Sequence, residues 1–352
     1  MTFGFPRFRS ALAVLVAVAA IGCSDGAQPS RDGRAEDRVV LVTYAGYALP
    51  EEAAKAFTDR TGITIEVRTF DDAGTALSQA ILTAPVPEGD VLFGVDNTML
   101  TRATSSEAFE AHQASSVRLV DPALRLDPTG TFTPIDYGDV CVNADTEWFA
   151  RRGLPVPEDF EDLADPRYRD LLVVQSPITS SPGLSFLVAT RMRYGDRADD
   201  YWRRLRANGV VVANSWDDAW NARYSVNGGQ RPLVVSYATS PPAEVIFSDG
   251  ARTEPASTVI TSTCFRQVEF AGVLAGAKHP RAARRLIEEM LSERWQAALP
   301  LTNFVYPARQ GVELPAEFRR WATPVPEPIT ATPEEIGRSR DAWIDAWRRV
   351  ME

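Results

Sequence analysis

Residues 39–95 read VVLVTYAGYALPEEAAKAFTDRTGITIEVRTFDDAGTALSQAILTAPVPEGDVLFGV, and their periodicity decides the fold class. Val39 to Tyr44 is rich in β-branched residues and apolar on both faces, as a strand buried inside a parallel sheet must be. Leu49-Pro50-Glu51-Glu52 opens a helix, with proline in the first turn and acids at the positive end of the dipole, and Gly62 stops it. Ile63 to Phe70 alternates as a second strand, Asp72 is placed to cap a helix running to Leu82, and Asp90 to Val95 is a third strand. Strand, helix, strand, helix, strand predicts an α/β fold on a parallel sheet.

The same grammar resumes beyond Pro134. Strands are expected near Asp139–Asn143, Leu171–Gln175, Val210–Ala213, Leu233–Tyr237 and Val268–Leu274, and helices over Leu184–Arg193 and Pro280–Ala298. The proline-rich run Thr323 to Pro333 leads to a last helix that starts with the capping-box pattern Thr332-Pro333-Glu334-Glu335. A chain of 352 residues is too long for one simple core. Two α/β lobes are expected, the second inserted into the first: residues 38–136 with 265–352, and residues 137–264. The connecting strands fall near Pro134–Tyr137 and Thr263–Glu269. This is the architecture of the type 2 periplasmic binding proteins, in which the ligand sits between lobes that close about a hinge.

The N-terminus fits a protein that leaves the cytoplasm. Arg7 and Arg9 precede the small-apolar run Ala11 to Gly22 and then Cys23, the order of a signal peptide. The run is too short to span a bilayer, which takes about 20 residues. Cys23 directly after Gly22 resembles the lipobox of bacterial lipoproteins, making residues 1–22 the leader, Cys23 the acylated first residue and 23–37 a polar tether. Removing residues 1–22 takes two of the 37 Lys and Arg and none of the 47 Asp and Glu, so the mature formal charge is −12. Such a chain is a poor nucleic-acid binder, and its membrane attachment falls to the lipid.

The inventory removes several enzyme classes. Two histidines, His112 and His279, stand apart from each other and from any metal-ligand spacing. The two lysines, Lys55 and Lys278, sit in no phosphate-binding loop, and GxSxG and GxGxxG are absent. No metal, no cofactor and no catalytic residue is expected. Cys141 and Cys264 are the only cysteines after Cys23: either a disulfide, as an oxidising compartment favours, or two buried thiols. On the expected topology they lie side by side on the hinge.

Four segments have the chemistry of a binding site. Ser180-Ser181-Pro182-Gly183 presents backbone N–H groups at a helix start, either an ordinary cap or a seat for phosphate. Asn214-Ser215-Trp216-Asp217-Asp218 puts an indole where a strand turns into a helix, either as a lid on the core or as a wall for a flat or cationic ring. Tyr237-Ala238-Thr239-Ser240-Pro241 brings a ring, hydroxyls and amides to a strand's carboxyl end, and Asn303-Phe304-Val305-Tyr306-Pro307 is similar in kind.

With Thr43-Tyr44, Asp72, Gly94-Val95-Asp96-Asn97, Asp136-Tyr137-Gly138, Gln267-Val268-Glu269 and Arg340-Asp341-Ala342-Trp343, these segments stand in an order that resembles the thiamine-binding periplasmic proteins, the substrate-binding subunits of thiamine ABC importers. The resemblance implies thiamine, thiamine monophosphate or thiamine diphosphate as ligand, a permease as partner, a monomer and no enzymatic activity. It implies that Trp216, Tyr237 and Phe304 contact the rings, that Tyr44, Asp72 and Ala73 line the cleft, and that Ser180, Ser181, Ala238, Thr239 and Ser240 hold any phosphate. Phe304 stands where the family tends to have tryptophan, and Ala73 where it has glycine. Ala243 and Asp139 replace family aromatics, which predicts a thinner cage. The rivals are a ferric-iron carrier, which lacks its usual adjacent tyrosines here, a polyamine carrier using Asp72, Asp96, Asp139 and Glu269, and a thiamine-degrading enzyme using a free cysteine.

Overall fold

The computed structural model describes residues 36–352. The expected leader and the acylation site Cys23 lie outside the described residues. Nine strands form one sheet: β1 Arg38–Tyr44, β2 Thr64–Phe70, β3 Val91–Asp96, β4 Phe132–Asp145, β5 Leu172–Gln175, β6 Val211–Ala213, β7 Leu233–Tyr237, β8 Ser257–Val273 and β9 Tyr306–Pro307. Their order is β2-β1-β3-β8-β4-β7-β5-β6, with β9 on β4. Each end is parallel: β1 pairs with β2 and β3, and β5 with β6 and β7. Between them β8 and β4 run antiparallel to each other and to β3 and β7. Two α/β wings therefore share two long central strands, a two-lobed periplasmic binding protein fold. Tyr137 and Cys264, at the expected lobe boundaries, both lie inside these strands.

β4 and β8 are much longer than the sequence suggests, because their middles carry Asp136, Asp139, Arg266, Gln267 and Glu269. Such residues break an apolar pattern; here Asp139, Arg266, Gln267 and Glu269 find partners on neighbouring elements, while Asp136 keeps Oδ1 without a donor. Pairing shifts between Val140↔Phe265 and Val142↔Ile260, a bulge beside which Cys141 and Cys264 are joined, their Cα atoms 4.2 Å apart across a sequence separation of 123. A bridge closing so long a loop stabilises by roughly 4–5 kcal/mol through the unfolded chain.

The expected helix Pro280–Ala298 is two helices, Pro280–Met290 and Glu293–Thr302, because the Ser292 side chain accepts from Trp295 N and starts a new turn. The last helix, Pro333–Met351, carries the capping box on Thr332 and Glu335. It begins with Thr101 Oγ1 donating to Pro333 O at 2.7 Å in the first wing and ends against Trp202 and Arg206 of the second. Among the described residues no helix is long and apolar enough to cross a membrane.

Candidate functional site

The carboxyl ends of β1 and β7 and the starts of helices Ala73–Thr83 and Ser181–Tyr194 surround a cavity of about 370 Å³. That is a small-molecule volume at the place where an α/β sheet binds ligands. One wall is aromatic. Trp216 stacks on Trp220, with ring centres 5.8 Å apart and planes at 11°, and Trp220 stacks in turn on buried Tyr224. The Trp216 indole N–H donates to Ser236 Oγ at 2.9 Å, which fixes its plane, while the 218–223 segment coils as a π-helical turn that brings Trp220 beneath it. At the mouth, Phe247 of the second wing meets Phe304 of the first edge-on at 5.3 Å. Asn303 holds the Phe304 loop by bonding both N–H and C=O of Ala48.

The cavity lining is also acidic. Asp71, Asp72, Asp217 and Glu269 line the cavity, and no lysine, arginine or histidine does. Asp72 caps its own helix through Ala73 N at 2.8 Å and reaches across the cleft to accept from Ser181 N and Trp216 N, each at 3.0 Å. Burial raises the pKa of this carboxyl, against the lowering pull of those amides. Asp96 accepts from Ser181 Oγ and from Gln267 Nε2, and Gln267 in turn accepts from Tyr237 OH at 3.0 Å. Tyr44 OH donates to Glu269 Oε2 at 3.0 Å. Burial, with nearby Asp96 next, raises the Glu269 pKa to about 8.

Of the residues singled out in the sequence, Tyr44, Asp72, Ala73, Ser181, Trp216, Tyr237, Ser240 and Phe304 line the cavity together. Ser180, Ala238 and Thr239 do not; they are buried outside its wall, Ala238 packing beside the two cysteines. The helix start expected to seat a phosphate has its Ser181 N–H and hydroxyl already bonded to Asp72 and Asp96. Two further rings, not singled out in the sequence, line the cavity. Phe247, one helical turn past Ala243, and Trp220, one turn past Trp216, supply rings that the helical spacing of four residues already signals. Asp139 faces elsewhere: it pairs with Arg266 in a separate hollow beside Tyr137 and Tyr306, so its identity leaves the cleft unchanged. Among the described residues no group of three or more His, Cys, Asp or Glu is arranged to hold a metal ion.

Closeness of the two wings depends on Gly74. A Cβ there would lie 2.5 Å from Thr179 O, a backbone atom of the other wing. Gly74→Ala therefore costs about 1–3 kcal/mol in this closed arrangement and nothing once the wings part. The expected result is ligand affinity lower by roughly tenfold or more with the melting temperature of the ligand-free protein unchanged; calorimetric titration and a thermal melt check both.

Residues 89–323 match the family described as bacterial extracellular solute-binding protein. The thiamine-binding periplasmic protein of Salmonella typhimurium is 29% identical over 318 residues, covering 89% of this chain and 93% of that one. A solved periplasmic thiamin binding protein superposes with a TM-score of 0.78 at 26% identity, over 92% of this chain and 99% of that one. Iron-bound HitA from Pseudomonas aeruginosa shares the fold, with a TM-score of 0.68 at 22% identity over 89% and 99% of the two chains. With a matched segment that spans most of both wings and contains the greater part of the cleft, this chain belongs to the bacterial extracellular solute-binding proteins.

Proposed function

We propose that this protein captures thiamine outside the cytoplasm and delivers it to the permease of an ABC importer, held to the membrane by a lipid on Cys23 and working as a monomer. The observation that carries this reading is a cavity lined by a stacked tryptophan wall and carboxylates, with no basic side chain. Such a site favours a flat, permanently cationic ring, since aromatic faces attract cations and unopposed carboxylates repel anions. The thiazolium of thiamine has that chemistry, and thiamine-binding relatives at 29% and 26% identity support the same ligand.

An iron site would draw on phenolates, whereas Tyr44 and Tyr237 donate their protons to Glu269 and Gln267, and burial raises both phenols well above their ordinary value. Turnover through a cysteine has no nucleophile among the described residues, where Cys141 and Cys264 are joined to each other.

Titration of the soluble chain, oxidised and lacking residues 1–23, with thiamine, its mono- and diphosphate, spermidine and ferric citrate tests the assignment through tryptophan fluorescence. Saturable quenching by thiamine at micromolar or lower concentration is expected. Saturation by spermidine or ferric citrate with no response to any thiamine species would reassign the ligand.

A further inference from the structure

The cleft floor holds a row of acids that the capture of a neutral molecule does not need. Asp96 on β3 and Asp136 on β4 are the direct register partners of Glu269 on β8, one on each side. In-register neighbours project from the same face of a sheet, so three carboxyl groups stand abreast on three adjacent strands. All three are buried, with 0%, 1% and 4% of the surface of Asp96, Asp136 and Glu269 exposed. Asp96 is supplied with donors, from Thr98, Ser181 and Gln267. Glu269 receives one from Tyr44. Asp136 leaves Oδ1 with no protein donor and stands directly beside Glu269 in the sheet register. Neighbouring carboxyl groups buried side by side do not both ionise, because like charges there repel, so the pair retains a proton.

The groups facing Glu269 are Asp96 from β3, Asp136 from β4, Tyr44 and Tyr47 from the end of β1 and the loop after it, Tyr237 from β7 and Asp72 at the helix start. None of them is cationic, and among the described residues no lysine, arginine or histidine lines the cavity beside them. Glu269 is the member that reaches the cavity wall. We propose that a permanent cation entering the cleft takes the place of a proton on the Asp136–Glu269 pair, so that ligand capture releases that proton to solvent and Glu269 becomes the counter-ion of the bound ring. Burial raises both carboxyls, reinforced at Asp136 by the charge of Glu269 and at Glu269 by that of Asp96, while Asp136 itself pulls Glu269 back down. A positive charge beside the pair reverses that effect.

The sign follows from linkage. A proton bound in the empty protein and lost in the complex makes affinity rise with pH, by up to about tenfold per unit for one proton, until the empty pair itself ionises. A ligand of the same shape without the charge should show neither effect.

The inference rests on the thiamine reading, and the experiment separates the two. The intact chain is titrated calorimetrically with thiamine between pH 6 and pH 8, in pairs of buffers that differ in ionisation heat. The same titrations use a neutral analogue with carbon in place of the thiazolium nitrogen. The expected result is release of up to about one proton per thiamine, a five- to tenfold gain in affinity per pH unit, and a flat, buffer-independent profile for the neutral analogue. Glu269→Gln should bind thiamine at least tenfold more weakly at pH 8 and lose the slope. Thiamine binding that is independent of pH and buffer, or a neutral analogue that releases the same proton, overturns the inference and leaves the ligand standing. No binding of thiamine at any pH overturns both.

Discussion

Asp72→Ala lowers the affinity for thiamine by about a hundredfold, and does so without removing any part of the ligand's aromatic wall. Two of the three amides bonded by this carboxylate, Ser181 N and Trp216 N, belong to the opposite wing. Hydrogen bonds from amides to a charged acceptor contribute about 1.5–3 kcal/mol each. The burial that raises the Asp72 pKa offsets part of this, leaving a net cost of about 3 kcal/mol. The Ala73 cap is lost in either arrangement, but the loss of the two cross-wing bonds falls on the closed one, so the apparent affinity drops by the fraction of molecules able to close. Solution scattering checks the cause: at a thiamine concentration that closes the wild type the variant should remain more open, and saturating thiamine should restore the compact form. Asp72→Asn keeps an acceptor oxygen and should fall between the two.

Trp216→Ala should be the more damaging change to the ligand contact itself, again about a hundredfold or more. The indole lines the cavity, is backed by Trp220 at 5.8 Å and has its N–H committed to Ser236. Removing a large ring from a binding site costs about 2–4 kcal/mol, from lost area and lost stacking on a cation. Trp216→Phe keeps a ring but not the anchoring N–H, and roughly a tenfold loss is expected. Titration of each variant gives the affinities, and most of the fluorescence response should vanish in both if Trp216 is the reporting ring.

How far the sequence reaches is seen best at Asp72. Its position before Ala73-Gly74-Thr75 identifies it as a helix cap, and it is one. That it also holds two amides from the other wing is invisible locally, because Ser181 and Trp216 lie 109 and 144 residues further on. The helix start at Ser181 attracts an anion as dipole logic requires, yet the anion bonded to Ser181 N is Asp72 of the same chain. The βαβαβ opening was legible because β1 and β3 are apolar buried strands and β2 alternates. β4 and β8 were foreshortened because their polar centres build the floor of the site. Local pattern and local propensity part company where function is placed. Trp220 and Phe247 lie four residues from positions already singled out, so helical spacing was the available signal for both.

The central claim is that a thiamine-type cation lies enclosed between the wings, ring against Trp216 and charge toward Glu269. A crystal structure grown with saturating thiamine tests it most directly. One molecule is expected in the cavity lined by Tyr44, Trp216, Tyr237, Glu269 and Phe304. Ligand density in the separate hollow beside Tyr137 and Arg266, or an empty cleft at saturating concentration, would contradict it.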